Sequence, residues 1–344
     1  MSGKLDVHLF ARAGRFFLYE VPSGSLREID EELYAFIDEH GHRVFDGVEI
    51  PREYADFIGS LPRLENEVSP ELKRRITGMA VLLTQRCNMR CAYCYADDGT
   101  YGASQDQAVM SEATAIKALE LLFSLSGDAR LLNLTFFGGE PLLNMELIRF
   151  LVSRGREMAR ERKKHLVFNT VTNGTLLSAQ TCRFLLDNDV RVIVSLDGDK
   201  ELNDQTKKYG KSHYDTVRAL LQPFQDELQP TIRSTISKAN FRHLERILDS
   251  FTEMSWPIAV FEEIGAGGDD SLCLTREDTP VLDEQYERIF TRLVEETGFF
   301  RPRLIYPFTQ TLLQIAFPRK NHHRCSAGRR TLAVDTQGNI FPCH

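Results

Sequence analysis

The chain has 344 residues, 42 Lys and Arg against 49 Asp and Glu for a net charge of −7, and 42% apolar and 26% charged residues. These proportions exclude collagen-like, disordered and disulfide-scaffold classes, and at roughly 150 residues per domain the length suggests two or three domains. No apolar run approaches the roughly 18 residues of a membrane span and no signal peptide precedes the first element, so a cytoplasmic protein without a membrane or nucleic-acid partner is expected, apart from a local basic patch at Arg324, Arg329 and Arg330.

Residues 4 to 75 read as a small α+β module. Leu5, Val7 and Leu9, then Phe16 to Val21, predict two short strands around a turn at Ala13 and Gly14, with a second turn at Pro22 to Ser25. Leu33, Phe36 and Ile37 lie at helical spacing and predict a helix after Asp30. Pro62 and the charged stretch to Arg75 read as a linker.

From residue 79 the pattern changes. Apolar runs at Met79 to Leu83, Leu131 to Phe137, Leu166 to Val171, Val190 to Leu196, Pro230 to Ile236 and Pro257 to Ile264 predict six strands. Between them, Glu112 to Ser124, Met145 to Lys163, Ala179 to Asp187, Tyr214 to Gln225 and Leu244 to Met254 predict helices. Strands alternating with helices imply an α/β fold with a parallel sheet under helices. Six such units suit an open, partial (β/α)6 barrel of the TIM type.

After Gly265 to Gly268 the pattern predicts helices over Glu284 to Glu296 and around Thr309 to Ala316. A hairpin follows, with Thr331 to Val334, a turn at Asp335 to Gly338, and Ile340 and Phe341. The chain stops at His344, directly after Cys343, which reads as a truncation inside a longer module.

Seven cysteines is an odd number, and in a reducing compartment clustered cysteines point to metal or redox chemistry before disulfides. Cys87, Cys91 and Cys94 form a Cys-x3-Cys-x2-Cys loop directly after the first strand of the α/β region. Three thiolates on one short loop can hold three irons of a [4Fe-4S] cubane and leave the fourth iron open to another ligand. A zinc site would want a fourth Cys or His nearby, and a redox dithiol of Cys91 and Cys94 would leave Cys87 unexplained. Cys182 reads as a small core residue, Cys273 as an ordinary loop residue, His322 and His323 as a solvated pair, and Tyr95 and Tyr101 as packing.

This loop, with Tyr93 before its third Cys, resembles the signature of the radical S-adenosylmethionine (radical SAM) superfamily. Gly138, Gly139, Glu140 and Pro141 after the second strand resemble its GGEP motif. Thr172, Asn173 and Gly174 follow the third strand, Ser195, Leu196, Asp197 and Gly198 end the fourth, and Arg233 lies on the fifth. A parallel barrel gathers functional residues at the C-terminal ends of its strands, where all of these fall. The resemblance implies a [4Fe-4S] cluster and SAM as cofactors, with reductive SAM cleavage yielding a 5′-deoxyadenosyl radical that takes a hydrogen from substrate. It implies that Glu140 meets the SAM ammonium and that Ser195 and Arg233 meet its ribose or carboxylate region, while Tyr93, Gly138, Gly139, Thr172, Asn173 and Asp197 line the cofactor site. Asp197 could equally cap a loop.

Cys325 and Cys343, with Gly338 between them, resemble the opening of a SPASM domain, the module that binds auxiliary Fe–S clusters in peptide maturases. Two thiolates cannot saturate a cubane, so an auxiliary cluster would need further ligands. Residues 17 to 25 with Leu33, the loop Cys94 to Gly102, and Pro342 to His344 resemble the maturases of quinohemoprotein amine dehydrogenase and of SCIFF peptides, which link a Cys sulfur to a carbon of the same peptide. The resemblance divides the chain into a winged-helix-like peptide-recognition module (1–76), a radical SAM core (77–268), and linker helices with the beginning of a SPASM domain (269–344). The expected partners are a peptide or protein substrate with a leader segment, bound by strand addition, and an electron donor such as flavodoxin or ferredoxin. The rival readings are a formylglycine-forming anaerobic sulfatase maturase, a carbon–carbon peptide crosslinking enzyme, and a non-catalytic leader-binding protein.

Overall fold

The computed structural model describes residues 4–12, 14–41, 48–63, 75–102, 104, 108–254, 258–264, 269–297, 304–317 and 325–344. The chain divides into two compact units, Met1–Leu72 with Phe308–Cys325 and Lys73–Pro307 with Ser326–His344.

In the first unit, β1 (Val7–Arg12), β2 (Arg15–Glu20) and β3 (Leu26–Ile29) form an antiparallel sheet in that order. Two helices follow, α1 (Glu31–His40) and α2 (Arg52–Ser60). Asp30 starts α1 because its carboxylate accepts the Leu33 N–H at 2.7 Å. Leu5, Leu18, Leu33, Ile37, Ile58 and Leu61 make the core of this unit. The third strand and α2 were not anticipated by the apolar pattern. β3 exposes three of its four residues, and α2 has no side-chain cap to announce it. Ala13 and most of the expected linker, residues 64–74, lie outside the described residues.

The second unit is built on β4 (Gly78–Thr84), the two-residue β5 (Arg90–Cys91), β6 (Leu131–Gly138), β7 (His165–Thr172), β8 (Val190–Ser195), the two-residue β9 (Lys207–Lys208), β10 (Thr231–Ile236), β11 (Ile258–Glu263), β12 (Leu304–Tyr306), β13 (Thr331–Val334) and β14 (Ile340–Phe341). Its helices are α3 (Glu112–Leu125), α4 (Met145–Glu161), α5 (Ala179–Asp187), α6 (Lys200–Thr206), α7 (His213–Leu221), α8 (Gln225–Leu228), α9 (Leu244–Glu253) and α10 (Thr279–Thr297). Nine strands form one sheet in the order β12-β11-β10-β8-β7-β6-β4-β13-β14, parallel throughout except for the β13–β14 hairpin. The order is linear, so the sheet is an open, partial barrel.

Strands β7, β8 and β10 alternate strictly in burial. Leu166 and Phe168, Val192 and Val194, and Ile232 and Ser234 are buried, whereas Asn169, Ser195 and Arg233 on the opposite face are only partly so. The buried face meets helices, since an alternating strand presents every second side chain to one layer. The other face is free to line a cavity. Hydroxyl, carboxamide or carboxylate N-caps at Ser111, Asn144, Ser178, Asp199 and Ser212 start the helices after the strands. Each cap converts the end of a loop into a helix and so leaves the loop at the C-terminal rim of the sheet.

The hairpin near the end of the chain takes an unexpected place. β13 pairs in parallel with β4, Thr331 opposite Gly78 and Val334 opposite Val81, and extends the main sheet. β12 extends the opposite edge beyond β11. Gly265 to Gly268 lie outside the described residues.

Candidate iron–sulfur and cofactor site

The loop after β4 carries Cys87, Cys91 and Cys94, each partly buried with a free thiol. Its path is fixed by main-chain bonds to two remote segments. Gly139 N–H donates to Thr84 O and Glu140 N–H to Arg86 O, both at 2.9 Å. On the other side β5 pairs antiparallel with β9, Cys91 opposite Lys207, and Ala92 N–H donates to Thr206 O at 2.8 Å. The loop is thus clamped between the end of β6 and the segment after α6.

The glycines make that clamp possible. A Cβ on Gly139 would stand 2.3 Å from Arg86 O, and one on Gly99 would stand 2.5 Å from Gly139 Cα and 2.9 Å from Cys87 Cβ. Gly99 also has φ +84°, a conformation other residues resist. Only hydrogen at both positions lets three backbone segments meet behind Cys87.

Burial pushes the Cys87 thiol up to about 12 and that of Cys91 up to about 11, with the Lys207 ammonium opposing the rise at Cys91. Bare thiolates are therefore disfavoured there, and a metal that replaces the thiol protons restores the balance. Among the described residues no three His, Cys, Asp or Glu side chains converge as the ligands of a single ion do. A cubane asks for something else, since each of its cysteines caps a different iron. The three thiols fit that demand, and they are the residues that would hold the cluster.

Glu140 is fully buried. Its carboxylate accepts from Leu142 N–H at 3.0 Å, Thr172 Oγ1 at 2.8 Å and Asn173 N–H at 2.8 Å, while burial still raises it to about 7. It ties the turn after β6 to the end of β7. Asn173 in turn donates through Nδ2 to Asn88 Oδ1 at 2.9 Å, inside the cysteine loop.

A second polar node lies under the other side of the loop. The Tyr93 hydroxyl donates to Asp197 Oδ2 at 2.5 Å, and Asp197 Oδ1 accepts from Thr235 N–H at 2.9 Å. The buried Lys207 ammonium lies 3.7 Å from Asp197 Oδ2 and donates to Ser195 Oγ at 2.7 Å. Burial and the Asp197 charge both push the Tyr93 phenol up, so it stays a donor. Asp197, fully buried, joins the cysteine loop to β10. Arg233 lies opposite Ser195 in register and donates through Nε to Glu262 Oε2 at 2.6 Å. Its guanidinium is only partly buried and stands on the partly open face of β10.

Lys207, Asn88 and His213 were not singled out by the motifs. His213 is buried, with Nε2 2.7 Å from Asn173 O and Nδ1 2.9 Å from Asn203 Nδ2. Nothing local marks Lys207 as buried, because its partners Asp197, Ser195 and Cys91 are fixed by long-range pairing.

Of the remaining candidates, Cys343 lies within electrostatic reach of Tyr95, and His344 within reach of Arg233 and Glu262. Cys182 is fully buried in α5, as a core residue. Cys325 and Cys343 are exposed and belong to different units. The His344 ring packs edge-on against Phe137 with centroids 4.1 Å apart. Tyr95 and Tyr101 share a hydrogen bond of 3.3 Å beside the loop. His322, His323 and Arg324 lie outside the described residues.

A cysteine loop clamped at the C-terminal rim of an open parallel sheet makes this an α/β protein with three thiols gathered on one loop. Residues 76–217 match the 4Fe-4S single cluster domain. The chain is 21% identical to the radical SAM cyclopropyl synthase TigE of Paramaledivibacter caminithermalis over 79% of this chain and 58% of that protein. Its fold is similar to native anSMEcpe solved with AdoMet and the Cp18Cys peptide (TM-score 0.66, 18% identity, 77% of this chain and 73% of that one). It is also similar to Streptococcus suis SuiB bound to precursor peptide SuiA (TM-score 0.57, 14% identity, 100% and 83%). These relatives and solved structures are radical SAM and AdoMet-binding proteins, and the chain is similar to them in sequence and in fold. It spans somewhat less than two thirds of the length of the first curated relatives it matches, 59% and 58% for two of them.

Proposed function

We propose that the chain is a radical SAM maturase of a peptide or protein, in which Cys87, Cys91 and Cys94 hold the cluster and an intrapeptide Cys thioether forms as the radical takes one hydrogen atom from a substrate carbon, the Cys thiol gives up its proton to solvent, and the remaining electron passes to an oxidised iron–sulfur cluster. The observation that carries the reading is the clamped three-thiol loop at the rim of the open barrel. When bound, the cluster and SAM supply the reductive cleavage that generates the abstracting radical. The chain's own residues do the rest. Gly99 and Gly139 let the loop backbone close behind Cys87, Glu140 and Asn173 hold it to β7, and Asp197 holds Tyr93 against β10. In this reading Ser195 and Arg233, on the partly open face of β8 and β10, meet polar parts of SAM. Arg233 already engages a carboxylate, that of Glu262, and a guanidinium fork suits the carboxylate of an amino acid equally well.

The substrate assignment is supported by the peptides in the anSMEcpe and SuiB structures. In this reading the first unit receives the leader segment at a sheet edge: β1 and β3 are the outer strands of its three-stranded sheet, and strand addition satisfies an edge's unpaired main-chain groups. Cys325 and Cys343 would take part in an auxiliary site only with further ligands. A reduced flavodoxin or ferredoxin would supply the electron.

The test is anaerobic reconstitution followed by iron and sulfide counts, reductive SAM cleavage, and mass spectrometry of a Cys-containing precursor peptide. The expected results are one cluster per chain, release of 5′-deoxyadenosine, and a peptide lighter by two hydrogens. The Cys87→Ala, Cys91→Ala, Cys94→Ala triple variant should lose all three. A triple variant that still cleaves SAM reductively overturns the site. A product carrying formylglycine or a new carbon–carbon bond instead moves the activity to a rival maturase chemistry.

A further inference from the structure

Asn173 is held more completely than a loop residue beside a cofactor needs to be. Its main-chain N–H donates to Glu140 Oε2 at 2.8 Å, and its carbonyl lies 2.7 Å from His213 Nε2. Its side-chain Oδ1 accepts from both Thr175 N–H at 3.0 Å and Thr175 Oγ1 at 2.7 Å. Its Nδ2 donates to Asn88 Oδ1 at 2.9 Å and lies 3.9 Å from Cys87 Sγ, within reach of an N–H···S bond. Asn88 is held reciprocally, since its own Nδ2 donates to Thr175 Oγ1 at 2.8 Å.

These bonds decide which way the carboxamide faces. Amide orientation is settled by the hydrogen-bond network, and here Oδ1 must face Thr175 because a main-chain N–H can only donate. Nδ2, with two hydrogens, is thereby turned toward the cysteine loop. One hydrogen serves Asn88 and the other is directed to the Cys87 sulfur. Asn173 is the described side chain that carries a neutral N–H donor to a thiol of the site.

We propose that Asn173 is a positioning residue that tunes the cluster: its N–H···S bond to Cys87 stabilises the added negative charge of the reduced state and raises the reduction potential. Hydrogen bonds to ligand sulfurs are among the factors that set such potentials. The step concerned is a one-electron reduction by an external low-potential donor, and no bond or proton is exchanged at Asn173. The proposal rests on the reading that Cys87, Cys91 and Cys94 hold a [4Fe-4S] cluster.

The test compares the unaltered protein with Asn173→Leu, which has similar bulk and no donor, and Asn173→Asp, which keeps an acceptor for Thr175 and turns an oxygen toward sulfur. Each is reconstituted anaerobically, its iron and sulfide are counted, and its potential is measured by electron paramagnetic resonance during a potentiometric titration without SAM. Asn173→Leu should be harder to reduce by about tenfold, which is about 59 mV for a one-electron couple, and Asn173→Asp harder still. A merely structural role would change cluster content without ordering the potentials in this way. Variants with full iron and an unchanged or raised potential overturn the proposal, and if the Leu variant takes up no iron the Asp variant decides it. Absence of a cluster from the unaltered protein overturns the underlying site assignment, a result distinct from an unshifted potential.

Discussion

Replacing Glu140 by Gln removes one of the two fully buried carboxylates of the site. Glu140 has no exposed surface, and burial raises it from 4.5 to about 7 despite three hydrogen-bond donors. Between these values the native protein keeps a proton that the unfolded chain releases, so stability falls as pH rises through the window. At 1.36 kcal/mol per pH unit the loss is about 3 kcal/mol by the time both states are ionised. His213 works in the opposite sense. Burial lowers it from 6.5 to about 4, so the unfolded chain binds the extra proton and stability rises with pH over nearly the same range. The two slopes largely offset each other in the unaltered protein. Glu140→Gln should uncover the His213 slope, with stability climbing by about 3 kcal/mol from pH 4 to 6.5. The assay is urea denaturation of the iron-free, reduced proteins at several pH values, followed by far-ultraviolet circular dichroism. Subtracting the two curves cancels every group they share. If unaltered protein and variant keep a constant stability difference from pH 4.5 to 8, Glu140 is not the buried, raised carboxylate described above.

Lys207→Met leaves the Asp197 carboxylate buried without its cation and should cost about 3 to 5 kcal/mol in urea denaturation at neutral pH. Lys207→Met with Asp197→Asn should recover part of that loss, and equal stability of the Met variant and unaltered protein refutes the pairing. Gly139→Ala drives a Cβ to 2.3 Å from Arg86 O and should lower the melting temperature and reduce iron uptake on reconstitution, at a cost of about 1 to 3 kcal/mol. Full iron content with an unchanged melting temperature shows that the loop tolerates the methyl group.

The strands of the larger unit are legible because burial acts through local patterns. The expected run Met79 to Leu83 lies within Gly78–Thr84, and the helix over Ala179 to Asp187 has those bounds because Ser178 caps it through Thr181 N–H at 3.2 Å. The short elements lacked such patterns. α6 has seven residues and β12 three, too few for a period to emerge. The hairpin at Thr331 was legible as a hairpin, yet its docking against β4 depends on strand pairing across some 250 residues, which no local signal encodes. The cysteine loop and its glycines stood out by spacing and type, whereas Lys207 and Asn88 gained their places only from the folded topology.

The site's polar groups answer a problem that the apolar sheet cannot solve. Apolar packing is non-directional, so it can place the end of β4 but cannot fix the path of an eight-residue loop beyond it. Directed bonds at separate strand ends supply that constraint. From β6 come the Gly139 and Glu140 N–H groups, from β7 the Asn173 carboxamide, from the end of β8 Asp197, and from β9 the main-chain pairing at Cys91. Asp197 and Glu140 each pay the desolvation of a buried carboxylate, and each returns a link between two segments far apart in sequence. Tyr93 with Thr235 is one such link and Leu142 with Thr172 the other. A loop held from four strands keeps its three sulfurs in place whether or not each carries a proton, which is the condition for assembling a cluster on it without refolding the rim.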